Sequence, residues 1–163
     1  MERSISRSEA FRYSVLLSPL AFTFHVMEEA PYFTNWVKRF INPRFTQSHY
    51  LSVHIAGIVI GLVLAGLLSR WPKRWFLFLY LSFFFLPAQF FNIFFHLGAT
   101  IVYKAYSPGL FTALFLYPPV VLIVLKDALK ERLIGRTELI CSFFIAGCFH
   151  SVEVAHNVFY FGR

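Results

Sequence analysis

The stretch His25-Val26-Met27-Glu28-Glu29 places an imidazole and two carboxylates at the end of an apolar run that begins near Phe11. Residues three and four apart share one face of a helix, so Glu28 and Glu29 flank His25 on the same side. The run is close to the ~20 residues that a helix needs to cross a bilayer. Because ionisable groups inside hydrocarbon cost free energy, this cluster indicates a functional site.

The composition is typical of a membrane protein. Of the 163 residues, 58% are hydrophobic, 20% aromatic and 14% charged, and the mean hydropathy is +0.62. A soluble domain carries about 25% charged residues, so this chain has too few charges to cover a soluble globule. We therefore predict an all-α fold: a polytopic membrane protein that forms a single integral membrane domain over residues 1–163.

Apolar segments along the chain predict a bundle of about five transmembrane helices. The predicted spans are about 11–30, 48–68, 75–99, 110–125 and 137–160. Three of these spans contain proline, which cannot donate a backbone hydrogen bond. Pro19 is expected to kink the first span, Pro87 lies inside the third, and Pro118-Pro119 near the middle of the fourth predicts a kinked or interrupted helix.

The positive charge of the chain fits loops rather than a nucleic-acid interface. The net charge is +7, but the basic residues lie in short clusters between apolar runs, so we expect no nucleic-acid partner. The mixed aromatic and basic segment 32–47 predicts a short interfacial helix or an ordered loop. With five spans, ten of the fifteen Lys and Arg residues share the side of the N-terminus. This excess predicts a cytoplasmic N-terminus and a C-terminus on the opposite side.

Polar groups from several spans are predicted to lie at one depth. At 1.5 Å per residue from the cytoplasmic ends of their spans, they lie about 20–33 Å in, within the outer half of a ~30 Å core. The cytoplasmic halves of these spans are almost purely apolar. The groups are His25, Glu28, His54, Asn92, His96, His150, Glu153 and His156.

Imidazole and carboxylate groups together are the ligands that Zn²⁺ or an iron ion accepts in proteins. Glu153-Val154-Ala155-His156 is a Glu-x-x-His step, the spacing found in carboxylate-bridged metal bundles. The predicted metal ligands are His25, His96, His150 and Glu153.

Other polar residues are predicted to act as catalytic groups beside such a metal. Glu28 is expected to act as general base on a bound water. Asn92 is expected to orient a ligand or a developing oxyanion, and Glu29 completes the predicted catalytic set. His54, His156 and Asn157 are further possible members of the site, with His156 and Asn157 competing for one face of the last span.

The ordered set of His25-x-x-Glu28-Glu29, Asn92-x-x-x-His96 and a His/Glu group near the C-terminus resembles the HXXEE-motif family of small multi-pass membrane proteins. The resemblance covers essentially the whole chain. It implies a shared site of suspected enzymatic character and carries no particular reaction. A second Asn-x-x-x-His pattern is not found near the C-terminus, since Asn157 follows His156.

These observations favour an enzyme that acts on a hydrophobic, lipid-like substrate by metal-assisted hydrolysis or oxidation. One alternative is metal-free acid/base isomerisation of a sterol- or polyene-like lipid, because buried carboxylates with a nearby histidine can move protons. Another alternative is a proton-linked carrier or a binding protein. The expected partners are membrane lipids and the hydrophobic substrate, and a homodimer is an open alternative.

Overall fold

The computed structural model describes residues 9–161, and in this part of the chain helices are joined by short loops, without a strand. The predicted all-α fold is therefore confirmed. Two segments are π-helical: π1 (Leu81–Phe91) joins α5 to α6, and π2 (Ala155–Phe159) follows α9. The α-helices are α1 (Ala10–Ser14), α2 (Leu17–Glu29), α3 (Phe33–Phe40), α4 (Gln47–Arg70), α5 (Arg74–Tyr80), α6 (Asn92–Tyr103), α7 (Leu110–Phe115), α8 (Tyr117–Lys130) and α9 (Arg136–Val154).

Four continuous helical stretches among the described residues are long and apolar enough to cross a membrane. They are Gln47–Arg70, Arg74–Tyr103, Leu110–Lys130 and Arg136–Phe159. These match the second to fifth predicted spans, although the third and fourth were predicted to end too early, near 99 and 125. Lys126–Lys130 continue the helix of the fourth span because charged residues such as lysine are good helix formers in spite of their polarity.

The first predicted span is divided into two helices, α1 and α2, by a turn at Val15 and Leu16. The division lies four residues before Pro19, whose ring crowds the carbonyl of Val15 and whose nitrogen cannot bond to it. The prediction of a single helix over 11–30 is therefore corrected to a pair. Together the pair covers residues 10–29, about 30 Å at 1.5 Å per residue if the two helices are collinear.

The structure accommodates the prolines of the third and fourth spans in two different ways. Pro87 lies inside π1, where the wider helical turn accommodates a residue that has no N–H to donate. Pro118 and Pro119 instead occupy the first turn of α8, where backbone N–H groups have no intrahelical acceptor in any case. α7 and α8 are therefore separate helices that meet at Leu116.

Segment 32–47 contains the predicted short helix. In α3 the side chains of Phe33, Trp36 and Val37 are buried, whereas Lys38 and Arg39 are exposed. This division of apolar and basic faces is typical of a helix at a membrane interface.

Small residues allow α4 and α9 to pack closely against π1. A Cβ atom on Gly61 would lie 2.4 Å from the Phe84 ring, and one on Gly147 would lie 3.1 Å from the Phe91 ring. Only glycine lets these rings lie so near the helix backbone, as small residues do in membrane bundles.

Two apolar clusters divide the interior. The larger one includes Phe11, Leu81 and Val124, and the smaller one includes Val26, Phe33 and Tyr50. The smaller cluster surrounds the end of the bundle where α2 terminates, and this is the end at which the polar residues meet. The predicted cytoplasmic position of the N-terminus stays a prediction, and Arg3, Arg7 and Arg163, which contributed to it, lie outside the described residues.

Candidate metal centre

Glu29 is the centre of the polar cluster. It is the last residue of α2, and only 2% of its surface is exposed. Its Oε1 atom lies 3.6 Å from Nε2 of His25 and 3.2 Å from Nε2 of His96. Its Oε2 atom lies 3.4 Å from Nε2 of His54 and accepts a 3.1 Å hydrogen bond from the hydroxyl of Tyr50. Three imidazoles from three helices therefore face one carboxylate.

His25, Glu29 and His96 form a buried group that could hold a metal ion. One ligand atom from each lies within 4.8 Å of the others, and His25 and His96 have no exposed surface. His25 and Glu29 are four residues apart and so share a face of α2, while α6 brings His96 to the same point. The rings of the two histidines are 4.9 Å apart and nearly perpendicular.

The far ring nitrogen of each histidine is anchored by an oxygen atom. Nδ1 of His25 lies 2.8 Å from Oγ1 of Thr112, and Nδ1 of His96 lies 2.9 Å from Oγ of Ser107. Nδ1 of His54 lies 2.8 Å from the carbonyl oxygen of Tyr50. This arrangement directs Nε2 of every ring at Glu29. Metal-ligating histidines are oriented in the same way, with the second nitrogen bonded to an oxygen.

The hydrogen bonds assign the tautomers of two of these histidines. A carbonyl only accepts, so Nδ1 of His54 carries the proton and its Nε2 has a lone pair in the neutral ring. The Thr112 hydroxyl donates to Glu28 at 2.6 Å and therefore accepts from Nδ1–H of His25. Consistently, the Asn92 amide donates to Nε2 of His25 at 2.9 Å.

The lone pair on Nε2 of neutral His54 thus faces a carboxylate that also carries only lone pairs, whereas the lone pair on Nε2 of His25 accepts from Asn92. Two such acceptors repel each other at 3.4 Å unless a cation lies between them. A proton or a metal ion supplies that cation.

Glu28 lies outside this group and binds the start of α7. Its carboxylate accepts hydrogen bonds from the backbone N–H groups of Gly109, Phe111 and Thr112, and from the hydroxyls of Thr112 and Tyr106. A carboxylate at a helix N-terminus satisfies the free N–H groups there and opposes the positive end of the helix dipole. The two glutamates of the motif therefore have different surroundings.

Tyr106 lies in the loop that precedes α7. Partial burial, together with its hydrogen bond to Glu28, raises the pKa of Tyr106 above its ordinary value. The phenol therefore stays protonated and continues to donate to Glu28.

Gly109 allows the α6–α7 loop to pass directly over the cluster. Its φ of +95° lies in the region that favours glycine. A Cβ atom there would lie 2.7 Å from Cε1 of His25 and 2.8 Å from both Cε1 of His96 and Cγ of Glu29. The backbone of Gly109 therefore covers the three candidate ligands.

A cavity of about 100 Å³ adjoins the cluster. Its walls include Glu29, His54, His150 and Glu153, together with aromatic side chains such as Phe95. His150 and Glu153 pair with each other, with 3.6 Å between Nδ1 and Oε2. The structure therefore places these two predicted ligands at the cavity wall and groups His25 and His96 with Glu29 instead.

The remaining predicted residues differ in their position. Asn92 and Asn157 line the cavity, whereas the side chain of His156 is exposed. Three residues that anchor the cluster were not predicted from the sequence: Tyr50, Ser107 and Thr112. The residues Ser107-Pro108-Gly109 predict a loop between two helices. They do not indicate that this loop folds over His25 and His96.

Comparison with known proteins also identifies the His25-x-x-Glu28-Glu29 motif. A family model described as "Protein of unknown function with HXXEE motif" matches residues 16–124, which include His25, Glu28, Glu29 and His96. The Bacillus subtilis (strain 168) protein described as "Uncharacterized protein YrkK" is 31% identical over 139 residues, covering 83% of this chain and 87% of the relative. No solved structure matches the chain. The chain belongs to the HXXEE-motif family.

Proposed function

We propose that the protein is a membrane-embedded metalloenzyme that acts on a hydrophobic, lipid-like substrate by metal-assisted hydrolysis or oxidation. His25, Glu29 and His96 hold a divalent zinc or iron ion in this proposal. The observation that carries it is the convergence of anchored Nε2 atoms on the Glu29 carboxylate.

The spacing of the donor atoms supports a metal over a chance cluster. Bonds of 2.0–2.1 Å in a tetrahedral zinc site place neighbouring ligand atoms about 3.3 Å apart. The separations from Oε1 of Glu29 to the two histidine nitrogens are 3.2 and 3.6 Å. Two histidines and one carboxylate also leave positions free for water or substrate, as catalytic zinc and non-haem iron sites do.

The surroundings assign roles to the neighbouring residues. A bound zinc or iron ion would supply a Lewis acid and lower the pKa of a coordinated water. His54 borders the cavity and its Nε2 faces Glu29, so we assign it the proton-accepting role first expected of Glu28. When Nε2 of His25 binds the metal, the Asn92 amide would no longer donate to it. The amide could then donate a hydrogen bond to an oxygen atom of the substrate. The apolar walls of the cavity favour a substrate with hydrocarbon character.

Elemental analysis of the purified protein tests the metal. We expect about one zinc or iron per chain in the wild type, and its loss in Glu29→Gln and His96→Ala. His156→Ala is the matched control, because it removes an exposed imidazole. A wild-type protein that stays metal-free after reconstitution with Zn²⁺ and with Fe²⁺ would overturn the proposal.

The same geometry also favours a second candidate, a metal-free acid/base isomerase of a sterol- or polyene-like lipid. Here a proton occupies the space between Glu29 and the histidines, and the Tyr50 hydroxyl on Oε2 of Glu29 extends the proton network. Activity that survives chelation but falls in Glu29→Gln would support the isomerase. Substrate-independent proton flux in liposomes would instead support a proton-linked carrier.

A further inference from the structure

A lateral groove of about 360 Å³ runs along the outside of the bundle where π1 and α6 meet α9 and π2. It is lined by Phe91, Phe94, Phe95, His150, Val154 and Phe159, with Ser151 and Ala155 at its floor. Both walls belong to helices long and apolar enough to span a membrane. Phe94 is 56% exposed and Phe159 38% exposed, so the groove opens on the hydrocarbon of the bilayer.

The lateral groove borders the internal cavity. Phe95, His150 and Val154 line both spaces, so the groove and the cavity adjoin each other at these residues. A second groove on the surface of α4, lined by residues such as Ser52 and Ala56, has no residue in common with the cavity. The lateral groove therefore differs from an ordinary uneven lipid-facing surface by its continuity with the candidate metal centre.

Where the lateral groove borders the cavity, His150 supplies a polar group that makes no hydrogen bond within the described part of the chain. Neither of its ring nitrogens has a hydrogen-bond partner among residues 9–161, and the contact with Glu153 is 3.6 Å long. A polar atom left unpaired in an apolar wall costs free energy, and a ligand that bonds to it recovers that cost. A ring N–H at this place suits a carbonyl or carboxylate oxygen.

We propose that the lateral groove admits a single-chain lipid from the bilayer, with its hydrocarbon chain between the aromatic walls and its carboxyl or ester group at His150. The inference rests on the proposed function and narrows its substrate to acyl lipids. The π-helical turns on both sides of the entrance support it, since π-helical turns are frequent at functional sites.

Photolabelling tests the groove with a defined probe. The full chain is reconstituted in phosphatidylcholine nanodiscs with palmitate that carries a mid-chain diazirine, irradiated, and mapped by peptide mass spectrometry. We expect labels concentrated on residues 91–95 and 150–159 and competed by excess unlabelled palmitate. Ala155→Trp should reduce this labelling about tenfold by filling the floor. Ala56→Trp on the α4 surface is the matched control and should leave it unchanged.

Two further variants test the lateral groove without relying on Ala155→Trp. Ser151→Trp fills the same floor from an exposed position and should act like Ala155→Trp if the latter fails to fold. His150→Phe should reduce the labelling, because it retains the apolar wall and removes the polar contact with the carboxylate of the probe. Labels spread evenly over α4 and α9, or labels insensitive to both tryptophan variants, would overturn the proposal.

Metal content measured on the same samples separates this inference from the proposed function. Ala155→Trp should retain the metal, because its position lies away from Glu29 and the ligating histidines. Specific labelling of a metal-free protein would support the lipid groove and reject the metalloenzyme. A metal-loaded protein without specific labelling would support the metal centre and reject the groove.

Discussion

The hydroxyl of Thr112 donates a 2.6 Å hydrogen bond to Oε2 of Glu28. The hydroxyl oxygen of Thr112 in turn accepts a hydrogen bond from Nδ1–H of His25 at 2.8 Å. The first glutamate of the motif thus holds α7 in place, and α7 in turn orients the motif histidine. Glu29, one residue further, belongs to the cluster itself. The adjacent glutamates therefore contribute to one site in different ways.

Thr112→Val should weaken metal binding without removing a ligand. Valine has a similar shape but leaves Nδ1 of His25 without an acceptor, and loss of such an orienting bond costs about 10–100-fold in metal affinity. Competition with a chromophoric chelator measures the affinity. Thr23→Val is the control, because the Thr23 hydroxyl bonds to Pro19 within α2 at 2.8 Å. Equal affinities in the two variants would contradict the orienting role.

Gly109→Ala should disrupt the site and lower stability. A non-glycine residue at φ +95° costs about 1–3 kcal/mol of strain, and its Cβ would also displace the His25 and His96 rings. Thermal unfolding in detergent and metal content should both fall. Gly98→Ala is the control, since a Cβ there has nothing within 4 Å. An alanine variant at 109 with wild-type metal content would show that the loop does not need glycine.

Tyr50→Phe should lower the free energy of unfolding by about 1–2 kcal/mol, because a hydrogen bond to a buried carboxylate is stronger than one between neutral groups. The bond from Tyr50 to Glu29 is 3.1 Å long and buried. The measurement is the shift of the thermal midpoint in detergent. Tyr13→Phe, at a residue 64% exposed, should leave the midpoint unchanged. Equal midpoints for both variants would mean that the Tyr50 hydroxyl adds nothing.

The predicted orientation can be tested by thiol labelling. Cys141 and Cys148 are both free, so Cys141→Ser with Cys148→Ser gives a background without cysteine. In intact cells a membrane-impermeant maleimide should label Lys38→Cys, which lies on the predicted outer side. It should label Lys73→Cys only after permeabilisation. The reverse pattern would place the N-terminus outside and invert the predicted topology.

Much of the architecture could be predicted from the sequence because it depends on local properties. Long apolar runs predict membrane-spanning helices whatever their neighbours are, and four of the described helices match predicted spans. The backbone chemistry of proline is equally local, so the break in the fourth span just before Pro118 was predictable. The turn at Val15 follows from Pro19 by the same reasoning, although its abruptness was not expected.

The composition of the site depends on contacts between distant residues. The sequence by itself determined that His25, His96 and a glutamate lie in apolar helices, where an unpaired polar group is costly and must find a partner. Only the tertiary structure decided that the glutamate is Glu29, that Glu28 binds α7, and that His150 and Glu153 line the adjoining cavity. The reason is physical: adjacent residues on a helix point about 100° apart. Which of them meets His96 therefore depends on how α2 is rotated against α6 and α7, and packing alone sets that rotation.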